Sequence, residues 1–360
     1  MSEELIKMEV PVLMETLERM AGEEPAEEPD PALLPLNLPG PVLVTGAGGQ
    51  LGRELVRVFR EAGADVRAMT REDLDITDML AVEDAIEEIK PALILNAAAW
   101  TDVDAAEAER EDCRRVNTLA PVYMAGLHVP MVTFSTDYVF DGVGRTKRYN
   151  ERNRVNPLNV YGNAKLDADE LILGLGLGFE HGAQGIILRT SWLWSEQPGT
   201  KNFFQSVMRR IEAKKELRIV GDRVGSPTRA LDLAKAVLVL VKKGAHLKPY
   251  KIYHAANLGS CSWAGFTKEI VRLLNGHPEE VYPISTQQWQ MSPENFGKRF
   301  AQRPLLSTLN CNLLEREWGV VLPNWEESLK EGLDAYLQMK KDGVVFDDPD
   351  GSAEPADGAK

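Results

Sequence analysis

The sequence is short of cysteine and of basic charge, and it lacks long apolar runs. Each shortage removes a class of function. Its three cysteines, Cys113, Cys261 and Cys311, lie far apart with no CxxC pair. That spacing excludes a zinc knuckle or a disulfide framework and predicts buried, reduced thiols in a cytoplasmic protein. Lys and Arg number 41 against 55 Asp and Glu, for a formal net charge of −14. The basic footprint of a nucleic-acid binder is therefore missing, and no nucleic-acid partner is expected. No run reaches 18 apolar residues, so no membrane span is expected either. The opening MSEELIKMEV has neither the basic nor the apolar region of a secretory signal. What is present is an ordinary globular balance, 44% hydrophobic and 27% charged over 360 residues. At roughly 150 residues per domain, that length holds about two domains or one large domain with an added lobe.

Acidic charge gathers at the ends. Residues 21–31, AGEEPAEEPDP, carry five acids and three prolines, the composition of an extended, solvated linker. The segment ending DDPDGSAEPADGAK has the same character. The expected organisation is a flexible extension over 1–40, a core over 41–195, a smaller C-terminal lobe over 196–341 with parts returning to the core, and a disordered tail over 342–360. Within the core, apolar runs at 41–46, 64–70, 92–99, 129–136 and 185–194 alternate with helical patterns. Such alternation implies βαβ units, hence an α/β fold of the Rossmann-type doubly wound parallel class with helices on both faces. Ligands of such sheets bind at the carboxyl ends of the strands, near the switch point.

Between the first strand and its helix lies Thr45-Gly46-Ala47-Gly48-Gly49-Gln50-Leu51-Gly52. Gly46 permits the tight turn, Gly49 lets backbone approach a pyrophosphate, and Gly52 lets helix and strand pack closely. The helix start then offers free N–H groups and partial positive charge to an anion. After the second strand, Arg71 suits a ribose 2′-phosphate, while Glu72 and Asp73 suit a free 2′-hydroxyl. NADPH is favoured, with NADH also usable.

A second pattern is Tyr161-Gly-Asn-Ala-Lys165, a Tyr and a Lys four apart and so on one helical face. An ordinary phenol, with a pKa near 10, is a poor acid–base group near neutrality. A cation at about 4 Å contributes ~4 kcal/mol to a phenolate at an effective dielectric near 20, so the pair is expected to bring Tyr161 into working range. FSTDYVFDG, at the end of the fourth strand, supplies Ser135 and Thr136 as hydroxyls beside a reacting carbonyl.

The glycine loop, STDYVFDG, NPLNVYGNAK, RTSW and VGSPT occur in that order, with NAAAWTDVDAAE (96–107) and QRPLLSTLN (302–310). Together they resemble the extended short-chain dehydrogenase/reductase superfamily, and more narrowly the dTDP-4-dehydrorhamnose reductase family. The resemblance runs from about Pro41 to about Leu337. It implies Tyr161 as proton donor, Lys165 as its partner and ribose anchor, and Thr136 as the hydroxyl tuning the Tyr. It implies a cofactor lining of Gln50, Leu51, Asp75, Ile76, Ala99, Trp100, Thr101 and Phe134. Thr136, Asp137, Trp192, Val103 and Arg303 would line the substrate, a dTDP-sugar. Asn117 fits the family too, though it reads equally as a structural hydrogen-bonder, and Asp75 as a helix cap. Some members bind Mg²⁺, and Glu54 stands where one ligand would; a homodimer is left open.

Three departures stand out: the acidic extension, a stretch from Val116 to Ser135 about one helical turn short, and LDADE after Lys165, which leaves Ala168 and Asp169 for the family's Gly-Glu. The implied reaction is NADPH-dependent reduction of a 4-keto sugar nucleotide, dTDP-4-dehydro-β-L-rhamnose, to dTDP-L-rhamnose. A dehydratase would follow Thr136 with Asp-Glu, and Asp137-Tyr138 stands there instead. Another nucleotide-sugar 4-ketoreductase or an epimerase remains an alternative. So does a non-catalytic subunit like the regulatory β-subunit of methionine adenosyltransferase.

Overall fold

The computed structural model describes residues 36–143, 147–176 and 182–346. The expected extension up to residue 35 and the tail from residue 347 lie outside the described residues. Six short strands form the central sheet: β1 (Val42–Thr45), β2 (Val66–Met69), β3 (Leu93–Asn96), β4 (Met131–Thr136), β5 (Gly185–Thr190) and β6 (Lys251–His254). Their order is β6-β5-β4-β3-β1-β2, and every pairing is parallel. The chain runs from β1 to β2 at one edge and then returns to β3 on the other side of β1. The switch point therefore lies between β1 and β3, where Thr45 Oγ1 donates to Asn96 Oδ1 at 2.8 Å.

Side-chain alternation along the strands explains the helices on both faces. Val42, Val44, Leu93 and Leu95 point to one side and join Leu55, Val58 and Phe59 of α1 (Gln50–Glu61) in one core. Leu43 and Ile94 point to the other and join Val82 of α2 (Met79–Ile89) and Ile172 of α3 (Val160–Gly176). Between β3 and β4 the chain is helical over Arg110–Arg114, takes a π-helical turn at Arg115–Leu119, and resumes as a short helix over Ala120–Gly126. Leu36 and Leu38 already pack on the first core.

The C-terminal part adds α4 (Phe203–Glu212), α5 (Ala230–Lys242), α6 (Trp263–Leu273) and α7 (Trp325–Lys341). Helix α5 returns to the first core through Leu233, Val237 and Leu240. The lobe has its own aromatic core of Trp192, Trp194, Phe203, Phe204, Trp263, Phe266, Trp325 and Tyr336. The run expected as one strand over 185–194 is broken. Strand β5 ends at Thr190, and Leu193–Trp194 pairs instead with Thr228–Arg229. The break is conformational, because Trp192 has a φ of +45°, which cannot continue a strand. No helix among the described residues is long and apolar enough to cross a membrane.

Candidate active site

A cleft of about 720 Å³ opens at the carboxyl ends of the strands. Gly48, Gly49, Gln50 and Leu51 form one end, Ala99, Trp100, Thr101 and Val103 one side, and Phe134–Tyr138, Tyr161 and Lys165 the floor. Trp192 and Leu193 close the side toward the lobe.

Gly46 and Gly52 stand where only a glycine fits. Gly46 has a φ of +66°, and a Cβ there would lie 2.5 Å from Ala98 N. At Gly52 a Cβ would sit 2.1 Å from the Gly46 carbonyl oxygen, so any side chain would push α1 off the turn. No side chain caps the start of α1, leaving its partial positive charge turned to the cleft. Gln50 donates to the Leu193 carbonyl at 3.3 Å, while its buried Oε1 has no partner. An uncapped helix start beside an orphaned amide oxygen suits a dinucleotide with anionic and hydrogen-bonding groups.

Tyr161 and Lys165 leave α3 on the same face, one turn apart, beneath the cleft. Thr136 ends β4 and lines the same cleft. It also donates to Asp137 Oδ1 at 3.3 Å and accepts from the Tyr138 N–H at 3.1 Å. Lys165 donates to the Phe134 carbonyl at 3.0 Å. Burial lowers its pKa to about 8, opposed by the charge of Asp169 one turn on.

One electrostatic expectation fails here. Burial pushes the Tyr161 phenol well above its ordinary value, with Thr136 opposing and Asp137 adding to the rise. The Lys165 ammonium is directed to the Phe134 carbonyl, so it does not offset that desolvation. The phenol is held neutral, the form needed to give a proton away.

The substrate side is mixed. Asp137 is buried, accepts from Ser191 Oγ at 2.9 Å, and is pushed up to about 6 by burial. Val103 and Trp192 line the cleft. Trp263 stacks on the Trp192 indole, with centroids 3.5 Å apart and planes 5° apart. Gly225 allows the close fit, since a Cβ there would lie 2.3 Å from the Trp192 ring. A left-handed backbone at a bulky residue is strained, and such strain gathers at ligand sites. The expectation for Arg303 needs correction. Its guanidinium binds Asp104 bidentately, both contacts at 2.8 Å, behind the cleft wall, so its planar fork is not presented to a diphosphate.

The family described as the RmlD substrate binding domain matches residues 40–338. This chain belongs to that family. It is 36% identical over 303 residues to the spore coat polysaccharide biosynthesis protein SpsK of Bacillus subtilis, covering 83% of this chain and 97% of that one. It is 34% identical over 314 residues to the dTDP-4-dehydrorhamnose reductase of Sinorhizobium fredii, covering 83% and 98%. Among solved structures, a dTDP-4-dehydrorhamnose reductase of Bacillus anthracis in complex with NADP superposes with a TM-score of 0.71. It is 31% identical and covers 83% of this chain and 99% of that one.

Two residues expected in this RmlD-family site lie elsewhere. Asp75 and Ile76 fall outside the cleft walls. The Asp75 carboxylate binds the Thr77 N–H and hydroxyl at 2.9 and 2.8 Å, and Asp78 is the residue that caps α2. Ile76 is core. Arg71 is exposed in the turn after β2, beyond the glycine-loop end. Glu54, which stands where some family members would place a Mg²⁺ ligand, is buried against Arg57 at 2.7 Å, and among the described residues no group of three metal-ligating side chains occurs.

Three further residues shape or line the cleft. Asn117, on the π turn, accepts from the Trp100 N–H and donates to the Trp100 carbonyl, both at 2.9 Å. It shapes the cleft wall from behind, the structural role weighed for it. Tyr138, within the quoted STDYVFDG, lines the floor with its ring 6.1 Å from that of Tyr161, edge to face at 87°. Lys201 also reaches the cleft, from a loop with no local motif to announce it.

Proposed function

We propose that this chain reduces the 4-keto group of a dTDP-linked 6-deoxyhexose with NADPH, converting dTDP-4-dehydro-β-L-rhamnose to dTDP-L-rhamnose. The chain is an oxidoreductase of the NAD(P)H-dependent class, and the finer assignment rests on one observation. The Tyr161 phenol, held neutral beside Thr136, meets the uncapped helix start of α1 in a single cleft. Gly49, Gln50 and Leu51 would hold the dinucleotide phosphates, Lys165 its nicotinamide ribose, and Ala99–Thr101 and Phe134 its flanks. When bound there, the dinucleotide supplies the hydride for the sugar carbon. Tyr161 passes its proton to the developing alkoxide, so carbonyl plus hydride plus proton becomes an alcohol. An alkoxide is a stronger base than a phenolate, and the transfer runs downhill. Thr136 holds the phenol in line, and Trp192 and Val103 exclude water from the sugar.

The S. fredii relative named as a dTDP-4-dehydrorhamnose reductase supports the substrate class, as does the NADP in the B. anthracis structure. The test is NADPH oxidation against a panel of nucleotide-linked 4-keto-6-deoxysugars. The dTDP-4-dehydrorhamnose member should turn over with the highest kcat/KM. A higher value with a uridine- or guanosine-linked sugar would reassign the substrate.

Cofactor choice falls to Arg71. An exposed guanidinium beyond the glycine loop can pair with a 2′-phosphate, a charge-assisted contact. Arg71→Ala should weaken NADPH by about 10-fold, the scale of one such bond, and leave NADH within about twofold. Fluorescence titration of both cofactors measures it, and equal losses would make Arg71 a bystander.

A further inference from the structure

Between Trp194 and the start of α4 the chain forms a strap tied to the glycine loop. Arg53, near the start of α1, makes the tie: its Nε donates to the Gly48 carbonyl and its Nη1 to the Pro198 carbonyl, both at 2.8 Å. The strap is held from its own side as well. The buried Gln205 amide donates to the Glu196 and Gln197 carbonyls at 2.9 and 3.2 Å, and the buried Asn202 amide donates to the Ser195 carbonyl at 2.9 Å. Gly199 turns the chain with a φ of +68°. Gly199, Thr200 and Lys201 then line the cleft together with Gly48, Gly49 and Gln50.

Charge gives the position of Lys201 its importance. Asp102, Glu109 and Asp137 line the same cleft, so an anionic ligand meets repulsion from its walls. Among the described residues, Lys165 and Lys201 are the cationic side chains lining it, and Lys165 is directed to the Phe134 carbonyl. We propose that Lys201 binds the diphosphate of the nucleotide held at the glycine loop, and that Arg53 and Gln205 are positioning residues for the strap that presents it. The inference rests on the dinucleotide reading above. The tie to Gly48 sets the strap against the dinucleotide cradle, so the diphosphate of NADPH is the expected one; a dTDP-sugar offers the same chemistry from a second source. An ammonium binds phosphate as a point charge, and a contact to the diphosphate is indifferent to the 2′-phosphate assigned to Arg71.

The test measures binding to the full chain without turnover. NADPH and NADH are titrated by nicotinamide fluorescence, and dTDP and adenosine 2′-monophosphate by calorimetry. Lys201→Gln keeps a polar side chain and removes the charge. Both dinucleotides should weaken by about 10-fold, the scale of one hydrogen bond to a charged group, because both carry the diphosphate. Adenosine 2′-monophosphate, which has none, should bind as it does to wild type. Lys201→Arg should recover most of the loss, and the thermal midpoint of the unliganded variant should not move, as it would for a merely structural residue. A loss confined to dTDP would support the diphosphate contact and place it on the sugar nucleotide. Unchanged affinity for NADPH, NADH and dTDP, a loss for NADPH without NADH, or an equal loss for adenosine 2′-monophosphate would each overturn the assignment. A wild type that binds neither dinucleotide would instead overturn the cofactor reading and this inference with it.

Discussion

Tyr161→Phe should lower kcat by about 10²–10⁴-fold, the usual worth of a positioned proton donor. Phe keeps the ring that packs edge-on against Tyr138 and removes only the hydroxyl. NADPH affinity and thermal midpoint should therefore stay close to wild type. The sign of the phenol's pKa shift matters here. A phenolate at neutral pH would have nothing to give in the reductive direction, whereas burial keeps this phenol protonated. Pre-steady-state measurement of NADPH oxidation gives the chemical step directly. A variant within twofold of wild type would remove Tyr161 from the mechanism and leave solvent as the proton source.

Asp169→Ala should be the most destabilising single change near the site. Asp169 lies one turn beyond Lys165, and its Oδ2 accepts from Ser135 Oγ at 3.0 Å and from Arg189 Nε at 2.9 Å. The side chains of the ion pair are 3% and 4% exposed, so deleting the carboxylate strands a buried guanidinium. Breaking such a pair costs about 3–5 kcal/mol. At roughly 2–4 °C per kcal/mol for a chain of this size, the thermal midpoint should fall on the order of 10 °C. Combining Asp169→Ala with Arg189→Met should recover much of that loss, because no buried charge is then unpaired. A midpoint within a degree of wild type for the single variant would mean that water or another group already solvates Arg189.

What could be read in the sequence and what could not divides by the range of the interaction. The glycine turn, the Tyr161–Lys165 face and the position of Thr136 depend on spacings of a few residues, and the structure places all three around one cleft. The parallel sheet was legible for the same reason, through the alternation of short apolar runs with helical patterns. Strand β6 was not, because Lys251–His254 is four residues long and finds its partner β5 across a 60-residue excursion through the lobe. Asp169 looked like a small departure from a motif because its partners Ser135 and Arg189 stand on two strands distant in sequence. Arg303 was assigned to a diphosphate on its chemistry alone, and its true partner, Asp104, is 199 residues away. The Tyr161 electrostatics went wrong for a different reason. A Lys four residues on is visible in a sequence, but the desolvation that outweighs it is a property of the packed cleft.

The left-handed backbone at Trp192 was equally hidden. Only the fold shows that the chain must leave β5 abruptly at Ser191 to carry the indole over the cleft and into its stack on Trp263. That turn joins the dinucleotide half to the lobe, since Leu193–Trp194 then pairs with the strand entering α5. Cleft geometry and lobe packing are thereby one structural unit.

The central claim is that hydride passes from the dinucleotide to C4 of a dTDP-sugar while Tyr161 supplies the proton. Isotope transfer tests it most directly. The chain is incubated with NADPH carrying deuterium at both hydrogens of nicotinamide C4 and with dTDP-4-dehydrorhamnose, and the product is read by NMR and mass spectrometry. The account predicts one deuterium, bonded to C4 of dTDP-rhamnose, for each NADPH oxidised. Deuterium at any other sugar carbon, or a product formed without NADPH oxidation, would contradict it.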